Sequence, residues 1–278
     1  MRRRLKLGWS LVHDVLWSIR SCCDAHSSMR LAGDFLLWYG NLFLPHPLST
    51  RPSRGMSNQE RTIVVKPGVK LTYRLNAGDL QSIREVWIDS VYDVSSAKRV
   101  AVVVDLGAHI GLTSLWLSVR YPDAVFIAVE PSHANAALLN ANFSQNKING
   151  HVMRAAISDW DGCGLFADAP QSNLGRLSQA GDAGVVVMSC ESLLRMFQVD
   201  RVSVLKMDVE GAERNILLHS GSWLAQVDCI VAEFHPDVAS CSDIIGHLSS
   251  YGLQRTPLPH SRHTPYVAAF TRDAGALS

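Results

Sequence analysis

Hydrophobic positions near the start of the chain recur at helical spacing. Leu5, Trp9, Val12, Leu16, Ile19 and Cys23 alternate steps of four and three, which places them on one face of a helix. Leu31, Phe35, Trp38 and Leu42 repeat the spacing until Pro45 and Pro47 end it. Residues 45–60, rich in Pro, Ser, Asn and Arg, read as a linker. Beyond it the period shortens to two: Leu71, Tyr73 and Leu75 alternate with Thr72, Arg74 and Asn76, and Pro67-Gly68 separates them from Thr62–Val65, predicting a hairpin with one buried face. Asp79 is placed to cap a helix carrying Leu80, Ile83, Trp87 and Val91.

From residue 99 strand and helix patterns alternate. Apolar runs at 100–104, 125–129, 151–157, 185–188, 202–207, 230–234 and 267–270 predict strands. Helical patterns lie at 112–119, 133–143, 191–197 and 238–248. Strands apolar on both faces and joined by helices predict a largely parallel sheet in a doubly wound, Rossmann-like α/β domain.

Composition supports a folded chain, since 47% of the 278 residues are hydrophobic and 18% charged. The net charge of +1 gives no general electrostatic reason to bind nucleic acid. It is unevenly spread: eight basic against four acidic residues stand before Arg61, leaving 18 against 21 for the remainder. A basic amphipathic segment therefore precedes a mildly acidic domain, and residues 1–44 are expected to offer a peripheral membrane or partner contact. No apolar run reaches the roughly 18 residues of a membrane-spanning helix, and His13 and Asp14 interrupt what would be the core of a signal peptide. The six cysteines show no zinc-like spacing, so free thiols in a reducing, cytoplasmic setting are expected.

In a doubly wound sheet, ligands lie beyond the carboxyl ends of the strands. After the first of these strands stands Asp105-Leu106-Gly107-Ala108-His109-Ile110-Gly111, where the glycines allow a sharp turn and close approach. A dinucleotide fingerprint anchored on Gly107 would need glycine at 109 and 112, which are His109 and Leu112; this argues against a nicotinamide oxidoreductase. The second strand ends in Glu130-Pro131, about twenty residues past the loop, where a carboxylate can hold ribose hydroxyls. An adenosine ligand without a phosphate chain suits both features.

Four ordered segments resemble the FkbM family of S-adenosylmethionine-dependent methyltransferases: Val103–Gly111; Val129-Glu130-Pro131 with Asn135, Leu138 and Asn142; Ala155–Asp159 with Gly162; and Leu205–Glu213, followed by Val231–His235. The likeness spans residues 75–270, and it departs from the family pattern at His109, where asparagine is usual. It implies a seven-stranded sheet whose last strand is antiparallel, with residues 253–258 and 266–270 as the closing hairpin. It also implies a methyltransferase domain at 61–278 behind a helical extension and linker at 1–60. On this likeness S-adenosylmethionine is held by Asp105, Gly107 and Gly111 at its methionine end, with Ala108 and His109 in the same loop and Thr113 within reach of its carboxylate. Glu130 takes the ribose and Ser158 the adenine edge.

Methyl transfer to an alcohol also needs a proton acceptor. Lys206, Asp208 and Glu210 alternate along one strand, so Lys206 and Asp208 are expected to pair while Glu210, with Glu233 or His235, faces the acceptor. His235 is the preferred base, because an imidazole titrates near neutrality. These carboxylates and His235 do not form a diagnostic metal-ligand set, and no metal is expected. The acceptor is a small molecule, glycan or lipid, with O-methylation of a sugar, glycolipid or secondary metabolite the leading expectation. A non-catalytic relative that keeps the fold as a binding module is the alternative.

Overall fold

The computed structural model describes residues 2–43, 56–94, 99–167, 176–178, 183–219, 221–234, 241–258 and 266–272. Helices α1 (Arg2–Ser21) and α2 (Ala25–Phe43) come first, followed by the hairpin β1 (Glu60–Val65) and β2 (Val69–Arg74) and the short α3 (Ala77–Ile83). The alternating core runs β3 (Val102–Leu106), α4 (Leu112–Arg120), β4 (Val125–Val129), α5 (His133–Asn146) and β5 (Gly150–Met153). Strands β6 (Ala156–Ser158), β7 (Gly162–Ala167), β8 (Arg176–Ser178) and β9 (Ala183–Ser189) come next, then α6 (Cys190–Met196), β10 (Val204–Met207), α7 (Glu213–Leu218) and β11 (Cys229–Glu233). Helix α8 (Cys241–Ser250) and the pair β12 (Leu253–Thr256) and β13 (Val267–Arg272) complete the described chain.

Seven strands form the main sheet in the order β12-β13-β11-β10-β3-β4-β5. β5, β4, β3, β10 and β11 run parallel, while β13 lies antiparallel between β11 and β12, as the expected closing hairpin requires. Successive residues of a strand enter opposite cores. Val103, Phe126, Val204 and Val231 pack with α4, α5 and the β1–β2 hairpin. Val104, Ile127, Leu205 and Ile230 pack with α6, α7 and α8. Burial on both faces explains why these strands read as continuous apolar runs. Cys190 and Cys229 belong to these cores, and burial pushes both thiols up to about 12.

Two expectations change. The apolar run at 151–157 divides: β5 joins the main sheet, whereas β6 pairs with β9 in a second sheet ordered β6-β9-β7-β8. The cap of α3 is Asn76, whose side-chain oxygen accepts from the Asp79 amide at 2.8 Å, which frees the Asp79 carboxylate for other bonds. In α1, the face bearing Trp9, Val12, Leu16 and Ile19 is exposed, and Asp14 and Ser18 are fully buried. Asp14 Oδ2 accepts from Tyr39 Oη of α2 at 2.6 Å and from Arg84 Nε at 3.0 Å, so these satisfied polar bonds, together with Leu7, Leu11 and Trp17 packed on the core, fix the face that turns inward. The hairpin-facing side of α2 is apolar, with Leu31, Phe35 and Tyr39 in the same core as Ile63 and Tyr73.

This inversion predicts opposite sensitivities. Asp14→Ala leaves the Tyr39 hydroxyl and the half-buried Arg84 guanidinium without their shared acceptor and should cost about 2–4 kcal/mol. Leu16→Gln should stay within about 0.5 kcal/mol. Urea unfolding followed by circular dichroism compares the two directly.

Candidate active site

The site forms where parallel strands end side by side. After β3 the chain turns through Gly107 (φ +70°), His109 (φ +51°) and Gly111 (φ +86°) before α4 begins. Gly107 is required by space as well as by its torsion. A Cβ there would lie 1.7 Å from the Asp208 carbonyl oxygen, so any side chain would force apart the loops following β3 and β10. The Gly107 and Ala108 amides donate to the Val129 carbonyl at 3.0 and 2.9 Å, tying the loop to the end of β4. Gly111 serves packing instead, because its Cβ would meet Leu139 of α5 at 2.5 Å.

A closed polar ring holds this loop. The His109 amide donates to Glu130 Oε2 at 2.9 Å, and Glu130 Oε1 accepts from the Ser132 amide at 3.0 Å and from Asn135 Nδ2 at 3.2 Å. Asn135 Oδ1 accepts from Arg74 Nη2 at 2.7 Å, and Arg74 Nη2 donates to Asp79 Oδ1 at 2.9 Å. His109 Nε2 lies 3.4 Å from the same Asp79 oxygen, which closes the ring. Burial works to raise the Asp79 pKa, but His109 and Arg74 together outweigh it and hold the carboxyl below its usual range. Burial raises that of Glu130, against the opposing pull of His109 and the bonds from Ser132 and Asn135.

Beneath the loop lies Lys206, buried on β10. Its ammonium donates to the Gly107 carbonyl at 2.6 Å and sits 3.3 Å from Asp105 Oδ1 and 3.8 Å from Asp208 Oδ2. Asp105, rather than the expected Asp208, is thus its nearer carboxylate. Burial works to lower the Lys206 pKa, and these two carboxylates overcome it, so the residue stays cationic. Ser114 Oγ donates to Asp105 Oδ2 at 2.7 Å. After β10 the chain reverses through Glu210 (φ +53°) and Gly211 (φ +101°). Glu213 clamps this turn by accepting from the Val209 and Gly211 amides. Tyr92 faces the turn: its hydroxyl lies 3.3 Å from Asp208 Oδ2 and 3.2 Å from Glu233 Oε2. Burial, reinforced by Asp208 and Glu233, pushes the Tyr92 pKa well up, so the phenol remains a proton donor.

These groups border one cavity of about 900 Å³. Of the residues expected at a site, Gly107, Ala108, His109, Thr113, Glu130, Ser158, Asp208, Glu210 and Glu233 line it. Asp105 and Gly111 do not; the first lies under the floor on Lys206 and Ser114, and the second lies against α5. His235 falls outside the described residues. Residues unforeseen from the sequence complete the wall: Gln81, Glu85 and Tyr92 from the segment before β3, and Trp160 and Phe166 around β7. Asp79 and Arg74 had been read as a cap and a hairpin position, and only the fold brings them to His109. Among the described residues no group of three or more His, Cys, Asp or Glu is arranged to hold a metal ion.

Residues 105–254, more than half of the chain, match the family model of the methyltransferase FkbM domain. The chain belongs to the FkbM methyltransferase family. The glycine loop, Glu130, Asn135 and the Lys206–Asp208–Glu233 cluster fall within the matched segment, whereas Arg74, Asp79, Glu85 and Tyr92 precede it. One relative of this FkbM-family chain is the 31-O-demethyl-FK506 methyltransferase FkbM of Streptomyces tacrolimicus, 24% identical over 263 residues that cover 79% of this chain and 100% of the relative. Another is the hexuronic acid methyltransferase AglP of Haloferax volcanii, 25% identical over 170 residues, covering 57% and 70%. The crystal structure of an FkbM methyltransferase from Methylobacillus flagellatus aligns with a TM-score of 0.49 at 12% identity, over 94% of this chain and 58% of that one.

The ring predicts an acid-dependent contribution to stability. The folded pKa of Asp79 lies below the unfolded value of about 4, so its contribution is fully present above that pH and is lost as pH falls through the folded pKa. Asp79→Asn should therefore lower stability at pH 7 by on the order of 2 kcal/mol and flatten its decline below about pH 4. Denaturant midpoints measured across acid pH for both proteins check the sign.

Proposed function

We propose that the chain is an S-adenosylmethionine-dependent O-methyltransferase acting on a hydroxyl of a sugar, glycolipid or secondary metabolite. The observation that carries this reading is the joining, in one cavity, of the Gly107–His109 turn after β3, Glu130 at the end of β4 and the Tyr92–Asp208–Glu233 cluster. The residues fit such a cofactor. Gly107 and Ala108 border the cavity with backbone that is already tied to Val129 and Lys206, so they would shape the methionine end of the pocket, and Thr113 would bring a hydroxyl there. Glu130 keeps lone pairs beyond its three protein bonds for the ribose hydroxyls. Ser158 borders the adenine edge, with Trp160 and Phe166 as an apolar wall. Asp208, Glu210, Glu233 and Glu85 give the cavity an acidic lining suited to a cation. Asp105 acts from below as a positioning residue, fixing Lys206 and through it the Gly107 carbonyl.

When bound, S-adenosylmethionine supplies a methyl group activated by a sulfonium centre. The chain's own residues align an acceptor oxygen with it and remove the hydroxyl proton. Asp208 and Glu233 both border the cavity beside the Tyr92 hydroxyl, and one of these carboxylates is the proposed acceptor of the substrate hydroxyl's hydrogen bond and then of its proton. His235, next after Phe234 in the sequence, is the proposed outlet for that proton. The name of the Streptomyces tacrolimicus relative specifies an oxygen as its methylated atom, which supports an alcohol acceptor.

Calorimetry should show S-adenosylmethionine binding the parent protein and Glu130→Ala binding at least roughly tenfold more weakly; a parent that does not bind refutes the cofactor assignment. With an acceptor drawn from a panel of hexuronides and macrolides, Glu233→Gln and Tyr92→Phe should each lower kcat by about 10²-fold or more while cofactor affinity stays within about threefold. Undiminished turnover in both would remove the cluster from the mechanism.

A further inference from the structure

The hairpin of α1 and α2 packs some apolar residues on the core but leaves a second set of large apolar side chains outside. Asp14 and Ser18 are fully buried, whereas Trp9 and Ile19 on the opposite side of α1 are 75% and 56% exposed. Val12 and Leu16 stand between them at helical spacing and are exposed as well. α2 follows suit: Asp34 is buried against Arg61 and the Tyr73 hydroxyl, while Met29 and Leu36, seven positions apart, face outward. A helix pair that only covered a core would turn these large apolar side chains toward it.

Charge is partitioned in the same way. The carboxylates of α1 and α2 are Asp14 and Asp34, and both turn inward to satisfied partners. The remaining charges of α1 are all basic: Arg2, Arg3, Arg4 and Lys6 in its first turns and the exposed Arg20 in its last. An exposed apolar stripe on a helix whose outward charges are basic, with Asp24 of the following turn the one exposed carboxylate beside it among the described residues, suits the boundary between anionic headgroups and acyl chains. It is ill suited to a symmetric pairing with itself, which would bring like charges together. No helix of the described residues is long and apolar enough to cross a membrane, so such a contact lies in the plane of the interface.

We propose that the outer face of α1, centred on Trp9, Val12, Leu16 and Ile19, docks on an anionic lipid surface. The docked helix is wired to the cavity wall: Asp14 on its inner side accepts from Arg84, and the next two residues, Glu85 and Val86, line the cavity. Lipid contact on one side of α1 is therefore separated from the cavity by a single packed layer.

Co-sedimentation of the full chain with vesicles tests this. The parent should pellet with phosphatidylcholine vesicles containing one-quarter phosphatidylglycerol and much less with phosphatidylcholine alone, and added salt should weaken the binding. The double variant Trp9→Glu/Leu16→Glu should bind at least roughly tenfold more weakly while its Tm stays within about 3 °C of the parent, since both side chains are exposed. Sedimentation velocity identifies the competing occupant. A parent that dimerises through this face without binding vesicles overturns the proposal, as does a folded double variant that binds like the parent, or a parent that binds neither vesicle.

Discussion

A buried ammonium is the constraint around which the site is arranged. Lys206 rises from the middle of the sheet with almost no access to water, and a cation in that position is tolerable only if its hydrogens are satisfied at once. Asp105 from the neighbouring strand, Asp208 two residues on, and the Gly107 carbonyl meet that demand. In doing so they fasten the ends of β3 and β10 to each other. The loops then cross so closely that position 107 has no room for a side chain. The tight crossing of the two loops at the cavity floor is thus a by-product of solving a desolvation problem one layer below.

Two polar systems rise from that floor, and both lean on the segment before β3. Asp79 completes the ring that fixes His109 and Glu130, and Tyr92 bridges Asp208 to Glu233. The sheet therefore supplies the strand-end carboxylates, and residues 77–92 set how they face one another. The five-residue π-helical stretch Arg84–Ile88 lies between these anchors, turning Glu85 into the cavity and Arg84 back to Asp14.

The sheet was legible in the sequence because strands buried on both faces leave uninterrupted β-branched runs, as at 102–106 and 125–129. The strand-end residues were legible for a related reason: topology forces the positions after each parallel strand to one edge, so Gly107, Glu130, Asp208 and Glu233 could be grouped from their order alone. What failed was local patterning where polar bonds decide. The spacing of Trp9, Val12, Leu16 and Ile19 identified α1 but not its inner face, because Asp14 gains two partners inside that no period of apolar residues reveals. Asp105 was read as a ligand contact, yet an acid next to a buried lysine is spent on that lysine. Tyr92 carries no motif and reaches the strand ends across 116 and 141 positions of sequence.

His109 shows how such a site tolerates change. Its amide, not its ring, engages Glu130, and an amide is common to every residue except proline. The bond to Glu130 is consequently indifferent to the side chain at 109, provided that side chain accepts a positive φ. That indifference leaves the imidazole at liberty to take up a separate duty, and here it reaches Asp79. Position 107, in contrast, has no such latitude. Within one short loop the chain therefore holds a residue that cannot drift next to one that can, and diversification of the cavity rim has a place to begin without disturbing its floor.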